Sequence, residues 1–514
     1  MMRLYRLSSL LLSMLIGVAP PIVAQHDHPA PEKLGKVEFA TSCSAAVQLQ
    51  FNRAVALLHS FAYSESEKAF RQVLATDPSC AMVHWGIAMT YYHQLWEPPI
   101  DEARYAKGSA ELAQITKASK LSEREAGFVD ALATVYTNGD SQPLRKRMLT
   151  YEARMAEVAK ANPNDTETQV FYALALLSTA PPTDKTHANQ KKAVAILEPL
   201  YAVNPQHPGI AHYLIHACDN AEMAQQGVKA ALEYAKIAPS APHALHMPSH
   251  IFTRLGMWNE SVASNQAARR AAREQADIGE ELHAMDYLTY AYLQLGRDVD
   301  AAGVVADLQQ MRELQGANFK VGYAATAMPV RLAVERGKWQ EAAALKPAAG
   351  APPEVNAVAI WARAIGAAKL GNVQDATVEL GKLRETEGKL RAAGRSYWAD
   401  QVSIQASEVE AWTAAAKGDS VSAKKLMMSA ADFEDSMEKL PLTPGPIVPA
   451  REQLGALLLQ MQQPGDALQQ FEESLQQSPG RRNALLGAKT AAELSKNQAK
   501  SELYDSELRK LPER

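Results

Sequence analysis

Apolar residues recur every three or four positions along most of the chain, as in Ala54–Leu74, Ala193–Ala202 and Ala467–Leu475, and nothing comparable alternates in the manner of a half-buried strand. The pattern predicts a protein that is nearly all helix. The helical runs end at recurring punctuation: Asp77-Pro78, Asn162-Pro163, Asn204-Pro205, Ala238-Pro239 and Ser478-Pro479 each close an amphipathic segment. A second mark is a glycine followed five positions later by a small residue, in Gly256 with Ser261, Gly296 with Ala301, Gly337 with Ala342, Gly371 with Ala376 and Gly418 with Ala423. In a helical hairpin such a glycine takes the left-handed turn conformation, and the small residue lets the second helix approach the first.

With these turns on the page, the chain resembles the tetratricopeptide repeat family, whose unit is a helical hairpin of about 34 residues. Two stretches match its pattern closely: Phe51–Pro78, with Phe70 at the large packing position, and Val448–Pro479, with Gly455, Ala467, Phe471 and Pro479 in phase. The resemblance covers most of residues 45–495, with slips of phase, and 97–155 fits poorly. His212-Tyr213-Leu214-Ile215-His216, His246-Met247-Pro248-Ser249-His250 and the run Pro444 to Arg451 are similar to motifs of exported bacterial members of unsettled activity. The resemblance implies an all-α, right-handed superhelical solenoid of roughly ten to twelve hairpins, elongated because each contacts only its neighbours.

Arg3 and Arg6 precede the apolar run Leu7–Val23, broken by Pro20 and Pro21, which reads as an export signal over 1–24 with cleavage after Ala24. A leader over 25–44 follows. The solenoid is expected to divide into an N-terminal and central part over 45–345, which includes His-rich repeats over 207–290, further hairpins over 346–440, and C-terminal repeats with a cap over 441–514. Proline-rich stretches at 345–356 and 440–449 read either as the joints or as long loops inside one continuous array. No later run is long enough to span a membrane, so a periplasmic or secreted protein is expected. Fifty-three basic against 57 acidic residues give a net charge of −4 with no long basic run, which argues against nucleic acid as a partner. Among three cysteines, Cys43 and Cys80 each directly precede the first helix of successive units and are expected to form a disulfide pinning the N-terminal end, the alternative being two separate buried thiols; Cys218 is expected to be buried.

The chemistry concentrates in the histidines. Of 13, the seven His207, His212, His216, His243, His246, His250 and His283 fall within one short window. In repeat numbering His212 and His216 take positions 5 and 9 of one unit, His246 and His250 the same positions of the next, and Asp286 and Tyr290 those of a third; His243 and His283 take position 2. Positions 2, 5 and 9 share a helix face, and in the family that face lines the ligand-binding concave groove. Imidazoles four residues apart bind a transition metal such as zinc, copper or iron, and carboxylate completes such sites. His212, His216, His243, His246, His250, His283 and Asp286 are therefore the candidate metal ligands. A hydrogen-bonded groove recognising a peptide or small anion, and plain packing, are the competing readings, and Pro248 is expected to disturb its helix. Arg331, Glu408, Trp412 and Glu452 also map to groove positions and make the groove mixed in charge. No HExxH, phosphate loop, Gly-x-Ser-x-Gly or dinucleotide fingerprint is present. Repeats of this kind supply surfaces rather than reactions, so the expected function is binding of a partner protein, a peptide or a transition metal through the groove. The alternative is a metalloenzyme, a hydrolase or oxidase, with the histidines as its active site.

Overall fold

The computed structural model describes residues 32–512 apart from 97, 118, 140, 312–313, 315–318 and 347–350. The export signal over 1–24, residues 25–31 of the leader and residues 347–350 of the first proline-rich stretch lie outside the described residues. Among the described residues there are helices and turns and no strand, and Lys33–Arg514 forms a single unit. Consecutive helices pair as antiparallel hairpins, making the protein an all-α solenoid of tetratricopeptide-like units.

The hairpin turns follow from the glycines. Gly256, Gly296, Gly337, Gly371 and Gly418 all have positive φ, from 62° to 81°. At the first, Met257 N–H donates to the Phe252 carbonyl and Gly256 N–H to that of Thr253, so the turn satisfies carbonyls that the helix end leaves free. Phe61, Gln462 and Lys496 take the left-handed conformation in other hairpins.

The two helices of a unit differ in what they bury. Trp258–Glu274, an outer helix, buries only Trp258, Ser261, Val262, Asn265, Ala268 and Ala272, a stripe of helical period. Its inner neighbour Ile278–Gln294 is buried on every face from Glu280 onward, its polar residues included. An inner helix packs against its own outer helix, against adjacent units, and against whatever fills the groove.

Part of the groove is filled by the chain itself. Residues 437–449 leave the helix Ser420–Asp435 and run against the inner helices before Ala450–Gln460 begins. Arg331, fully buried, donates to the Pro446 and Gly445 carbonyls and to Thr443 Oγ1 at 2.9–3.0 Å, while Tyr287 Oη donates to the Pro441 carbonyl and Lys439 Nζ binds Asp219 at 2.7 Å. At the other end, residues 33–44, expected within a leader, pack on the first units: Phe39 is buried among Phe51, Trp85 and Phe128, and Lys36 N–H donates to the Gln206 carbonyl. Cys43 and Cys80 are disulfide-bonded, and Cys218 is a free, buried thiol that burial pushes up to about 12.

The expectation that each hairpin touches only its neighbours fails. Trp258 Nε1 donates to the Gly480 carbonyl at 2.9 Å, across 222 residues of sequence, and Gly256 faces the Pro479 carbonyl so closely that any β-carbon there would clash. Arg481, fully buried, donates to Tyr290 Oη at 2.9 Å, to Glu335 Oε1 at 2.7 Å and to Glu452 Oε2 at 2.7 Å. The C-terminal hairpins thus return onto the central ones and close the superhelix on itself.

Removing one partner of a buried, hydrogen-bonded ion network costs about 3–5 kcal/mol, because the remaining charges stay buried and unpaired. Arg481→Ala should lower the urea-derived unfolding free energy by that amount and increase the radius of gyration in solution scattering. A loss below about 1 kcal/mol, the range of an exposed pair, would show that this closure does not hold the fold.

Candidate metal centre

Three consecutive inner helices bring six histidines together. His212 and His216 lie on Pro208–Cys218, His243 and His246 on Pro242–His246, His250 on Pro248–Arg254, and His283 on Ile278–Gln294. The expected disturbance at Pro248 is local: Met247, between the two helical segments, keeps helical dihedrals of φ −52° and ψ −36°, and the hydrogen bond that Pro248 cannot donate is what is lost. Pro329, in the equivalent place, stays inside the continuous helix Phe319–Glu335.

The imidazoles sort into two trios, each with one nitrogen per ring inside a 4.8 Å sphere of mutual contact: His212, His216 and His243, and His246, His250 and His283. Each combines positions 5 and 9 of one unit with position 2 of the next. The trios adjoin, with ring centroids of His216 and His250 5.7 Å apart and of His243 and His246 5.9 Å apart. Asp286 belongs to neither trio. Its carboxylate accepts from Arg331 Nε at 2.9 Å, because position 9 of the following unit is an arginine and a buried carboxylate pairs with the nearest cation.

The proton on each ring can be placed from its partners. His212 Nδ1 donates to the His59 carbonyl at 2.6 Å, His243 Nδ1 to Glu280 Oε2 at 3.0 Å, His246 Nδ1 to Asn265 Oδ1 at 2.6 Å and His250 Nδ1 to Asp219 Oδ2 at 2.8 Å. All four acceptors lack a proton to give; Asn265 is oriented by its own amide, which donates to the Ser261 carbonyl. With Nδ1 protonated, the neutral rings of His212, His246 and His250 turn an Nε2 lone pair inward. His246 Nε2 and His250 Nε2 then face each other at 3.1 Å, as do His212 Nε2 and His216 Nε2. Nε2 of His243 and of His283 are buried with no hydrogen-bond partner.

Burial pushes His212, His216, His246 and His283 well below the usual imidazole range and His250 down to about 4, so these five rings are neutral near pH 7. Burial opposes the charge of Asp219, yet Lys439 and Arg254 hold its carboxyl well below the ordinary range; Lys320 and His243 do the same for Glu280. The anions that orient the rings are thus kept ionised. Neither was singled out from sequence, although each lies three residues from a clustered histidine, Asp219 after His216 and Glu280 before His283. The helix turn that shares their face was the available signal.

A third buried cluster is self-satisfied. Glu167 accepts from His59 Nε2 at 2.9 Å and His207 Nε2 at 2.8 Å, while His59 Nδ1 meets Tyr213 Oη and His207 Nδ1 caps its helix by accepting from Ile210 N–H. It leaves no imidazole nitrogen over for a ligand, and it locks His59, whose carbonyl orients His212.

Beside the first trio lies a cavity of about 700 Å³ that His243 lines together with Phe61, Tyr63, Trp96, Phe319 and Lys320. The Trp96 ring lies edge-on to His243 and His283, 5.7 and 5.3 Å between centroids.

No family model matches the chain, and no curated protein matches it. Among solved structures it is similar to a human IFIT1 dimer with m7Gppp-AAAA, at 15% identity over 92% of this chain and 91% of that one with a TM-score of 0.39. It is similar also to the APC/C hetero-tetramer Cut9-Hcn1, at 12% identity over 87% and 76% with a TM-score of 0.36, and to the P58(IPK) TPR domain, at 12% over 88% and 99% with 0.24. At these values the likenesses transfer neither family nor function.

The metal-free protein should lose stability on acidification. An unfolded imidazole takes its proton near pH 6.5 and the buried rings only below that, so as pH falls from 6.5 toward 4 the unfolded chain binds more protons and is favoured. His250 alone, moved from 6.5 to about 4, accounts for about 3 kcal/mol across that window. Urea midpoints of stripped protein should fall steadily from pH 7 to pH 4.5, and less steeply in His250→Gln. A flat profile would show that the rings are not held neutral.

Proposed function

We propose that the chain is an exported metalloprotein that holds two transition ions, one in each imidazole trio, with the first trio facing a substrate cavity. The carrying observation is the lone-pair opposition of His246 and His250. Both rings spend their proton on acceptor-only groups, so at 3.1 Å two lone pairs meet, and a neutral pair in that arrangement is repulsive. A proton on one ring would relieve it, but burial disfavours imidazolium here. A cation shared by the two nitrogens relieves it without that penalty, and the separation is close to the ~3.3 Å edge of a tetrahedron with ~2.05 Å metal–nitrogen bonds. Anchoring a ligand's other nitrogen on a carboxylate or carbonyl is the usual outer shell of an imidazole-bound metal.

Three neutral imidazoles suit zinc, copper or iron and leave a coordination position free. The cavity beside His243 supports the metalloenzyme alternative over storage, since a catalytic ion needs both an open position and a pocket. The chemistry then available is polarisation of a bound oxygen or activation of water. Partner binding, the other expectation for this fold, keeps the surfaces that residues 437–449 do not cover. Export is supported by the basic start and apolar run of 1–24 and by the Cys43–Cys80 disulfide, which suits an oxidising compartment.

Protein purified without a His tag should carry about two ions of zinc, copper or iron per chain by elemental analysis. His216→Ala and His250→Ala should each lose one, and the double variant both, with the helical circular dichroism signal kept. Asp219→Asn and Glu280→Gln should weaken affinity by about 10–100-fold. A double variant with wild-type stoichiometry, or stripped protein that takes up neither zinc nor copper at micromolar concentration, overturns the reading.

A further inference from the structure

A second cavity, of about 130 Å³, lies between residues 437–449 and the inner helices Phe319–Glu335, Pro353–Lys369 and Ser396–Ala416. No histidine lines it. One water needs roughly 10–15 Å³ on this measure, so the space takes several waters or one small organic molecule. Tyr290, Tyr323, Trp361, Tyr397 and Trp398 contribute to its wall, along with four carboxylates: Asp435 and Glu438, which are ion-paired, and Glu408 and Glu434.

Glu408 and Glu434 are held by neutral donors. Glu408, buried, accepts from Trp361 Nε1 at 2.6 Å and from the Gln453 amide at 2.8 Å, and Glu434 accepts from Ala450 N–H at 2.7 Å. Among the described residues neither has a lysine or arginine at hydrogen-bond distance. Cations do line the cavity, but each is engaged elsewhere: Lys439 and Arg254 with Asp219, Lys185 with Glu438, Arg451 with Asp432 and Asp435. Burial and the charge of Glu434 push Glu408 well above the carboxylate range, and burial pushes Glu434 up to about 8.

Three residues that line the cavity each carry a buried polar atom without a partner: Trp398 Nε1, on a side chain 6% exposed, Ser474 Oγ, on one 2% exposed, and Gln405 Oε1. Buried polar groups are paired in the great majority of cases. Three such orphans on residues around one cavity, beside two carboxylates with no lysine or arginine at hydrogen-bond distance, point to a ligand that supplies the partners.

We propose that this cavity binds a small primary ammonium compound that also carries an oxygen acceptor. Its N–H groups donate to Glu434, Glu408 and Gln405 Oε1, and its charge lies among aromatic faces that attract cations. Trp398 Nε1, which only donates, takes the oxygen. The metal reading plays no part in this: the site shares no residue with the imidazole trios.

The test is calorimetric titration of the full chain with ethanolamine, and with ethane-1,2-diol as the uncharged control of similar size. Ethanolamine should bind one to one and at least about tenfold more tightly than the diol. Glu434→Gln, which keeps an acceptor for Ala450 N–H, and Trp398→Phe, which keeps the ring and removes the donor, should each weaken ethanolamine by about tenfold or more. Metal-stripped protein should give the same affinity, so failure here leaves the imidazole centre untouched and loss of metal leaves this site intact. No binding of ethanolamine, equal binding of the diol, or unchanged affinity in both variants would show that the cavity holds water only. If Glu434→Gln does not fold, the diol comparison and Trp398→Phe decide.

Discussion

An imidazole has two ring nitrogens, and six such rings pack in a dry interior only if every proton and every lone pair has somewhere to go. That constraint organises this molecule. Four of the protons leave through Nδ1 to the His59 carbonyl, Glu280, Asn265 and Asp219, and the lone pairs are left facing inward. Each acceptor is itself held: Asp219 by Lys439 and Arg254, Glu280 by Lys320, and His59 by Glu167. Lys439 belongs to the segment that lies along the groove, so the orientation of His250 depends on a stretch nearly two hundred residues away in sequence.

The same dependence accounts for the closure of the superhelix. An open solenoid would leave positions 5 and 9 of its inner helices in water, where imidazoles titrate near pH 6.5 and orient loosely. Here part of the groove is filled by residues 437–449, and the C-terminal hairpins return to pair Arg481 with Glu335 and Glu452. Buried ion pairs are weak sources of net stability, and their better-attested use is to fix register. Arg331 and Arg481 each bind groups from two or more distant parts of the chain, so they serve that end, and exclusion of water from the histidines is the consequence.

Much of this was legible in the sequence where the cause is local. The left-handed turns at Gly256, Gly296, Gly337, Gly371 and Gly418 follow from the residue type, and the shared helix face of His212 with His216 follows from 3.6 residues per turn. What escaped was set by the tertiary arrangement. Asp286 carries the same repeat position as His246, yet its partner is decided by Arg331, 45 residues on. A proline-rich stretch at 440–449 reads as a joint between domains because prolines break helices. Nothing local shows that its carbonyls and Thr443 will be hydrogen-bonded by Arg331 and Tyr287 inside the groove.

The repeat itself explains why there are two trios rather than one. Moving by one unit carries His212 to His246, His216 to His250 and His243 to His283, so a single ligand pattern, two rings from one inner helix and one from the next, is written twice. A pattern encoded by repeat position would go on generating sites for as long as positions 5 and 9 stayed histidine. In the third unit they become Asp286 and Tyr290, and the facing positions supply Arg331 and Arg481, which bind them. A carboxylate in place of an imidazole, facing an arginine of the next unit, replaces an unpaired lone pair with an ion pair, which satisfies its own charge and asks for no cation. The change of residue at one repeat position thus ends the run of imidazole sites and begins the ionic interior that closes the fold.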